Sequence, residues 1–388
     1  MRIAILFKDS LKDRKGLLNA VLSRANALIA LDSSNQVDLY CIHLYYNRLS
    51  CFLNNISYDE QFEEEATLDG LLIHWLWVKV SLGDVIRQKL LHASQHSVER
   101  RCVEQAVKHF DSYDIISAHS LIAGIAANAI AKRQRKHFYV TWHGTDIHTA
   151  PFLNKEIFKS THSILCSAKK NFFVSKALHN QAKAICTHFE GEILYNGVSE
   201  KFCKFDYERR KHLKVSYHIH DEKVVAFCGN VIDVKNVDVL PTLFERIEKL
   251  YKGSLSFWII GDGNKRKTLQ EKMQAPNIKF WGNVPAGDMP DLINCIDVLV
   301  LPSKNEGLPL VTIEAIACGA NVVGSKVGGI PEVVGEENCF DLDENFIENM
   351  SSRTVEMLEG KITQNINDVF DWSKTARIEL SIYCLDNH

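Results

Sequence analysis

The chain has 388 residues, 46% of them hydrophobic and 24% charged, with a net charge of −3. This is the make-up of a soluble globular protein too long for one ordinary core, so two domains are expected. No nucleic-acid partner is expected of so balanced a chain. Residues 1–199 carry a net +4 against −7 in the remainder, which suits either contact with an anionic membrane or phosphorylated acceptor, or ordinary surface scatter. The eleven cysteines are an odd number, scattered and without a C-x-x-C pair, a pattern of reduced thiols in a cytoplasmic protein rather than of a disulfide framework or zinc site. The apolar run at the start is too short for a secretory signal, and nothing approaches 18 uninterrupted apolar residues. Leu71–Val80, with Trp75 and Trp77, reads foremost as a buried helix or strand; an interfacial membrane contact, peripheral to the bilayer, is the alternative.

Apolar strands alternate with amphipathic helices along the chain, the pattern of parallel sheets covered on both faces. Strands are expected at Ile3–Phe7, Val37–Ile42, Ile115–His119 and Phe138–Trp142. The first leads through a polar loop into a helix carrying Leu17, Val21, Leu22 and Leu28, and the third into a small-residue helix over Ala123–Ala131. A second round begins after Asn196-Gly197, with strands at Val224–Cys228, Leu255–Ile260, Ile278–Trp281 and Val298–Leu301. This predicts two doubly wound halves facing a cleft, with ligands at the carboxyl ends of the strands.

The richest segment is Leu301–Gly319. A strand ends near Leu301, and a helix starts near Pro309, a residue suited to a first helical position, and stops at Gly319. That puts Glu306 just before the helix N-terminus and Glu314 about two turns inside, next to amides and a dipole end that attract an anion such as a diphosphate. Taken singly, Glu306 reads as a capping acid and Glu314 as a solvated helix residue.

Together they resemble the E-x7-E signature of the glycosyltransferase group 1 family (family 4). The likeness continues through Val327-Gly328-Gly329-Ile330-Pro331-Glu332, Ile259-Ile260-Gly261-Asp262-Gly263, Phe280-Trp281-Gly282-Asn283-Val284 and Asp297–Ser303, and covers roughly residues 195–340. It implies an α/β protein of the GT-B fold. Residues 1–198 would be the acceptor-binding Rossmann-like domain, 199–370 the nucleotide-sugar-binding one, and 371–388 a helix returning to brace the first. By the same resemblance Glu306 would contact hydroxyls of the transferred sugar, Glu314 would hold the ribose, and the amides of Gly307 and Leu308 would meet the diphosphate or sugar. Gly282, Asn283 and Val284 would lie beside the base. The family has Gly-Arg followed five residues later by Lys-Gly; here Gly229-Asn230 leads to Lys235-Asn236. Lys235 is in register, but Asn230 replaces an arginine whose bidentate grip on phosphate a neutral side chain does not reproduce. Lys265, Arg266 and Lys267 are candidate substitutes, and also read as a solvated helix start.

In the first half, His143-Gly144-Thr145-Asp146 follows a strand and resembles the family's H-G-x-D segment. His143 would then touch the donor sugar or shape the reacting face, and Asp146 would orient it or bind acceptor. His119, ending another strand, and Gly16, after the first, are further acceptor-side candidates. The resemblance implies a retaining transferase moving a sugar from a nucleotide diphosphate, a uridine diphosphate by family weight, to a glycan or lipid-linked acceptor in surface-polysaccharide synthesis. No Asp-x-Asp motif occurs, and no metal or other cofactor is expected. A catalytically degenerate GT-B protein is the main rival. A dinucleotide-dependent oxidoreductase lacks its third glycine, position 266 being Arg, and a GT-B epimerase would share fold and ligands.

Overall fold

The computed structural model describes residues 1–8, 16–46, 48–54, 64–91, 96–106, 110 and 112–386. The polar loop expected after the first strand falls at residues 9–15, outside the described residues. The chain divides into two units, Met1–Asn196 with Trp372–His388, and Gly197–Asp371. The two crossings between them run side by side, because Val198 forms an isolated parallel bridge with Asp371 and donates its amide to Phe370.

The first unit holds an eight-stranded sheet: β1 (Arg2–Phe7), β2 (Gln36–Tyr46), β3 (Glu65–Leu68), β4 (Leu71–Val80), β5 (Ile115–His119), β6 (Phe138–Trp142), β7 (Lys170–Phe173) and β8 (Gly191–Ile193). Their order is β3-β4-β2-β1-β5-β6-β7-β8, and only β3 runs antiparallel. β5 and β6 are buried along their whole length, so they are covered on both faces, as unbroken apolar runs in parallel sheets require. The tryptophan-bearing stretch Leu71–Val80 is strand β4, paired with β2 and β3. No helix among the described residues is long and apolar enough to cross a membrane. The C-terminal helix Trp372–Asp386 packs on Gly16–Leu31, contributing Ala376 and Tyr383 to the first unit's core. It also delivers Glu379, fully buried, to within 2.5 Å of the buried Arg24.

The second unit is a six-stranded, all-parallel sheet: β9 (Lys223–Cys228), β10 (Leu255–Ile260), β11 (Ile278–Gly282), β12 (Val298–Leu301), β13 (Asn321–Ser325) and β14 (Cys339–Phe340), ordered β11-β10-β9-β12-β13-β14. Each unit therefore has a point where strand order reverses, between β1 and β5 in the first and between β9 and β12 in the second. In open parallel sheets the loops at the carboxyl ends beside such a reversal diverge and leave room for a ligand.

Candidate functional site

In the second unit the loops following β9 and β12 meet at the reversal. The first presents Lys235 at the end of a short 3-10 turn; the second presents Glu306. Lys235 Nζ lies 2.5 Å from Glu306 Oε1, which also accepts 2.7 Å from Ser303 Oγ. Both acid and lysine are largely covered, with side-chain exposures of 10% and 20%. The loop is held by close backbone approaches. Gly328 adopts φ +53°, and a Cβ there would collide with the carbonyl oxygen of Glu306, while Gly329 donates to the Gly307 carbonyl at 3.0 Å. The same economy brings Gly261 against Gly229: a Cβ on Gly261 would strike the Gly229 carbonyl. Among the described residues, nothing accepts from the amides of Gly307 and Leu308. They stand just ahead of the helix Leu310–Ala317, where dipole and free N–H groups favour an anion.

Two details of this helix differ from expectation. Pro309 stands at its N-cap with extended backbone (ψ 111°), so the helix starts one residue later than its proline suggests. Glu314 is accordingly little more than one turn inside. Its carboxyl is half-buried, without a hydrogen-bonding or charged partner among the described residues, and burial pushes it up to about 7.

The departures from the family pattern fall into two kinds. Asn236, in the place of a glycine, has φ 54° and ψ 36°. Asparagine tolerates this left-handed conformation better than most residues, so the turn survives the replacement. Asn230 is exposed and brings no charge. Of its three candidate substitutes, Lys265 is held by Asp233 at 3.2 Å and Asp238 at 2.9 Å. Arg266 pairs with Asp262 at 2.8 Å and lies over Gly282, its Nη1 3.0 Å from where a Cβ would stand. Lys267 is exposed on the helix Arg266–Lys272. Gly282 (φ +69°) ends β11, its carbonyl accepting from Gly261 at 2.8 Å; Asn283 is exposed and Val284 packs against the core.

The first unit has its own cluster. β5 and β6 are adjacent and parallel, so His119, at the end of β5, comes beside His143, one residue past β6. The rings stack at 24° with centroids 5.1 Å apart, and His119 Nδ1 lies 2.9 Å from His143 Nε2. One ring must donate and the other accept. Burial, with the nearby Arg24 guanidinium adding to it, pushes His143 down to about 3. Burial lowers His119 well below the ordinary imidazole range, and His143 and Arg24 add to that. Both rings are thus neutral at ordinary pH, and the buried Nε2 of His119 has no partner among the described residues. Asp146 accepts from the Gly144 amide at 3.0 Å, its Oδ2 has no partner among the described residues, and burial raises it to about 6. Gly16 is the exposed first residue of Gly16–Leu31, and a Cβ there would meet nothing within 4 Å.

Sequence reasoning passed over two contributors. Ser303 carries no signal beyond its place in a motif. Arg24 is an arginine among apolar neighbours on the buried face of its helix, an irregularity that could have flagged it. It donates to Glu379 and, at 3.1 Å, to Thr141 of β6.

Residues 222–359, within the second unit, match the family model of glycosyl transferases group 1. A protein of Bacillus subtilis (strain 168) named as a teichuronic acid biosynthesis glycosyltransferase, TuaC, is 27% identical over 251 residues, covering 64% of this chain and 62% of that one. The N-acetyl-alpha-D-glucosaminyl L-malate synthase of Bacillus anthracis is 29% identical over 238 residues, covering 58% of this chain and 59% of its own. The matched stretch thus spans about three-fifths of these curated relatives' length. Among solved structures, Anabaena Alr3699/HepE in complex with UDP superposes with a TM-score of 0.70 at 15% identity, over 100% of this chain and 97% of that one. That likeness is one of fold, and the fold is GT-B.

Proposed function

We propose, for a chain whose second unit is a group 1 glycosyltransferase domain within a GT-B fold, that it moves a sugar from a uridine diphosphate to a glycan or lipid-linked hydroxyl, with retention at the anomeric carbon. The observation that carries this is the Lys235–Glu306 pair at the strand-order reversal, beside two amides that have no acceptor among the described residues. A lysine and a carboxylate held together ahead of a helix N-terminus form a site that can trade its internal pairing for a charged ligand. Lys235 would turn to the diphosphate, the amides of Gly307 and Leu308 would share its charge, and Glu306 would face the sugar. The bond between the anomeric carbon and the diphosphate breaks with its electron pair leaving on oxygen. The acceptor oxygen bonds the carbon from the same face and passes its proton to that phosphate oxygen. Glu306 stabilises the positive charge developing on the ring, and the lysine, amides and helix dipole stabilise the leaving group without calling for a metal. Glu314 takes the ribose hydroxyls, and Gly282, Asn283 and Val284 border the base. From the first unit, His143 would touch the donor sugar or shape the reacting face, and His119, Asp146 and Gly16 are the acceptor-side groups.

Support for uridine diphosphate comes from the HepE complex, and for surface polysaccharide from the name of the Bacillus subtilis relative. The transferred group is a hexosyl or N-acetylhexosaminyl unit. A second reading, donor binding without transfer, is favoured by Asn230, since Lys265 and Arg266 are already paired to carboxylates. Thermal unfolding against UDP-, GDP-, ADP- and CDP-sugars tests the donor site, with Lys235→Ala as control. Saturation at about 100 times Kd adds roughly 2.7 kcal/mol. Stabilisation by UDP-sugars alone, lost in the variant, supports the reading; no stabilisation by any of them removes it. Release of UDP with an acceptor panel separates transfer from mere binding.

A further inference from the structure

His162, Cys166 and Cys186 follow no metal-binding spacing in the sequence, yet the fold brings one donor atom of each within 4.8 Å of the others. His162 and Cys166 stand one turn apart on the helix Lys155–Ser167 and so project from one face. Cys186 follows the helix Lys176–Ala182 and is buried, whereas Cys166 is exposed. Cys166 Sγ lies 3.0 Å from Cys186 Sγ, and 3.8 and 3.9 Å from the two ring nitrogens of His162. We propose that these three side chains form a zinc site that fastens the C-terminal end of Lys155–Ser167 to the segment after Lys176–Ala182.

Two thiolates and an imidazole are a donor set that Zn2+ prefers. Tetrahedral Zn2+, with bonds of about 2.3 Å to sulfur and about 2.0 Å to nitrogen, sets its ligands apart by about 3.8 Å for S···S and about 3.5 Å for S···N. The Cys166–His162 separation is already close to this, Cys186 Sγ lies within 4.8 Å of the imidazole donor, and the sulfurs need open by less than about 1 Å. A disulfide would use the same sulfurs and leave the histidine beside them without a part. Each thiol gives one proton to solvent as the ion enters, and the two thiolates cancel its charge. Among the described residues, the thiol of Cys186 otherwise donates only to the His188 carbonyl, 3.1 Å away. Water takes the fourth position, reached from the exposed side of Cys166 and His162.

The test uses the full chain, stripped by chelator under a non-thiol reductant and titrated with Co2+, then Zn2+. One equivalent of Co2+ should bind with thiolate charge-transfer and tetrahedral ligand-field bands, be displaced by Zn2+, and leave Cys166 and Cys186 protected from alkylation. His162→Ala and Cys166→Ser alter exposed side chains, so the fold should persist, and each should weaken binding at least about 100-fold. Cys203→Ser, at another exposed cysteine, should change nothing. The proposal is overturned by absence of a one-to-one complex, by Co2+ binding indifferent to both variants, or by a Cys166–Cys186 disulfide forming in air despite saturating Zn2+.

Discussion

The two units place their polar clusters at equivalent points, at or beside the strand-order reversal, and equip them in opposite ways. In the second, a cation and an anion hold each other at 2.5 Å under partial cover. In the first, two imidazoles face each other with no carboxylate partner among the described residues, next to an arginine committed to Glu379. A compensated pair keeps its charges in a low-dielectric setting and can redirect them to a ligand, whereas uncompensated buried groups escape the same cost by staying neutral. On the proposed function, the second cluster is the one that meets a charged ligand, and the first positions by hydrogen bonds.

Arg24 is where the first arrangement breaks most readily. Arg24→Leu strands Glu379 as a buried charge, and loss of one partner of such a pair costs about 3–5 kcal/mol. Arg24→Leu with Glu379→Leu should cost much less than the two singles together, since each apolar replacement removes the charge the other would leave. Chemical unfolding of the four proteins measures this; additive losses would show that the pair does not interact. Lifting the arginine's positive charge should also raise the titration of His143 toward the ordinary imidazole range, readable by NMR.

The second arrangement is tested by Glu306→Gln, which keeps shape and the Ser303 hydrogen bond but removes the charge proposed to face the sugar. Removing one preorganised electrostatic contact of this kind slows turnover by about 10²–10³, or about 2.7–4 kcal/mol of barrier, and nucleotide affinity should change little. Turnover unchanged in steady-state UDP release would take Glu306 out of the chemistry.

How far these sites were legible in the sequence depended on whether their physics is local. Buried parallel strands announce themselves as unbroken apolar runs, and β1, β5, β6, β9, β10 and β12 were readable as such. β4 was ambiguous because its run is long and carries tryptophans, though Asp69-Gly70 before it is a hairpin signal. Both residues have positive φ, 49° and 80°, the primed turn that suits strand twist. β7 and β8, four and three residues long, are too short to show a period. At the site, Glu306 and Glu314 stood out through motif spacing. The contact of Lys235 with Glu306, by contrast, spans 71 positions and exists only through sheet order. Arg24 with Glu379 spans 355 and needs the last helix to return.

Glycine positions sharpen the comparison at smaller scale. Gly328→Ala introduces a Cβ against the Glu306 carbonyl at positive φ, which should cost about 1–3 kcal/mol and displace the loop, weakening UDP-sugar binding as well. Gly16→Ala meets open space at the start of a helix, and should change stability by no more than about 1 kcal/mol, in the stabilising direction. Equal losses in thermal unfolding would mean that close packing at the second site does not restrain its loop.

The pH dependence gives the most direct contrast in sign. Glu314, raised from its usual 4.5 to about 7 by burial, is favoured in its neutral form in the folded state. Its contribution to stability is complete below pH 4.5 and is lost as pH rises through 7. His143, lowered from 6.5 to about 3, is also favoured neutral, but its contribution is complete above pH 6.5 and is lost as pH falls toward 3. Asp146, raised to about 6, acts in the same direction as Glu314, so the first unit contains slopes of both signs. Measured by chemical unfolding, the stability of Glu314→Gln relative to the unaltered protein should climb as pH rises from about 5 to about 8. That of His143→Asn should climb as pH falls from about 7 to about 4. If both differences moved the same way with pH, burial would not be what governs the two groups.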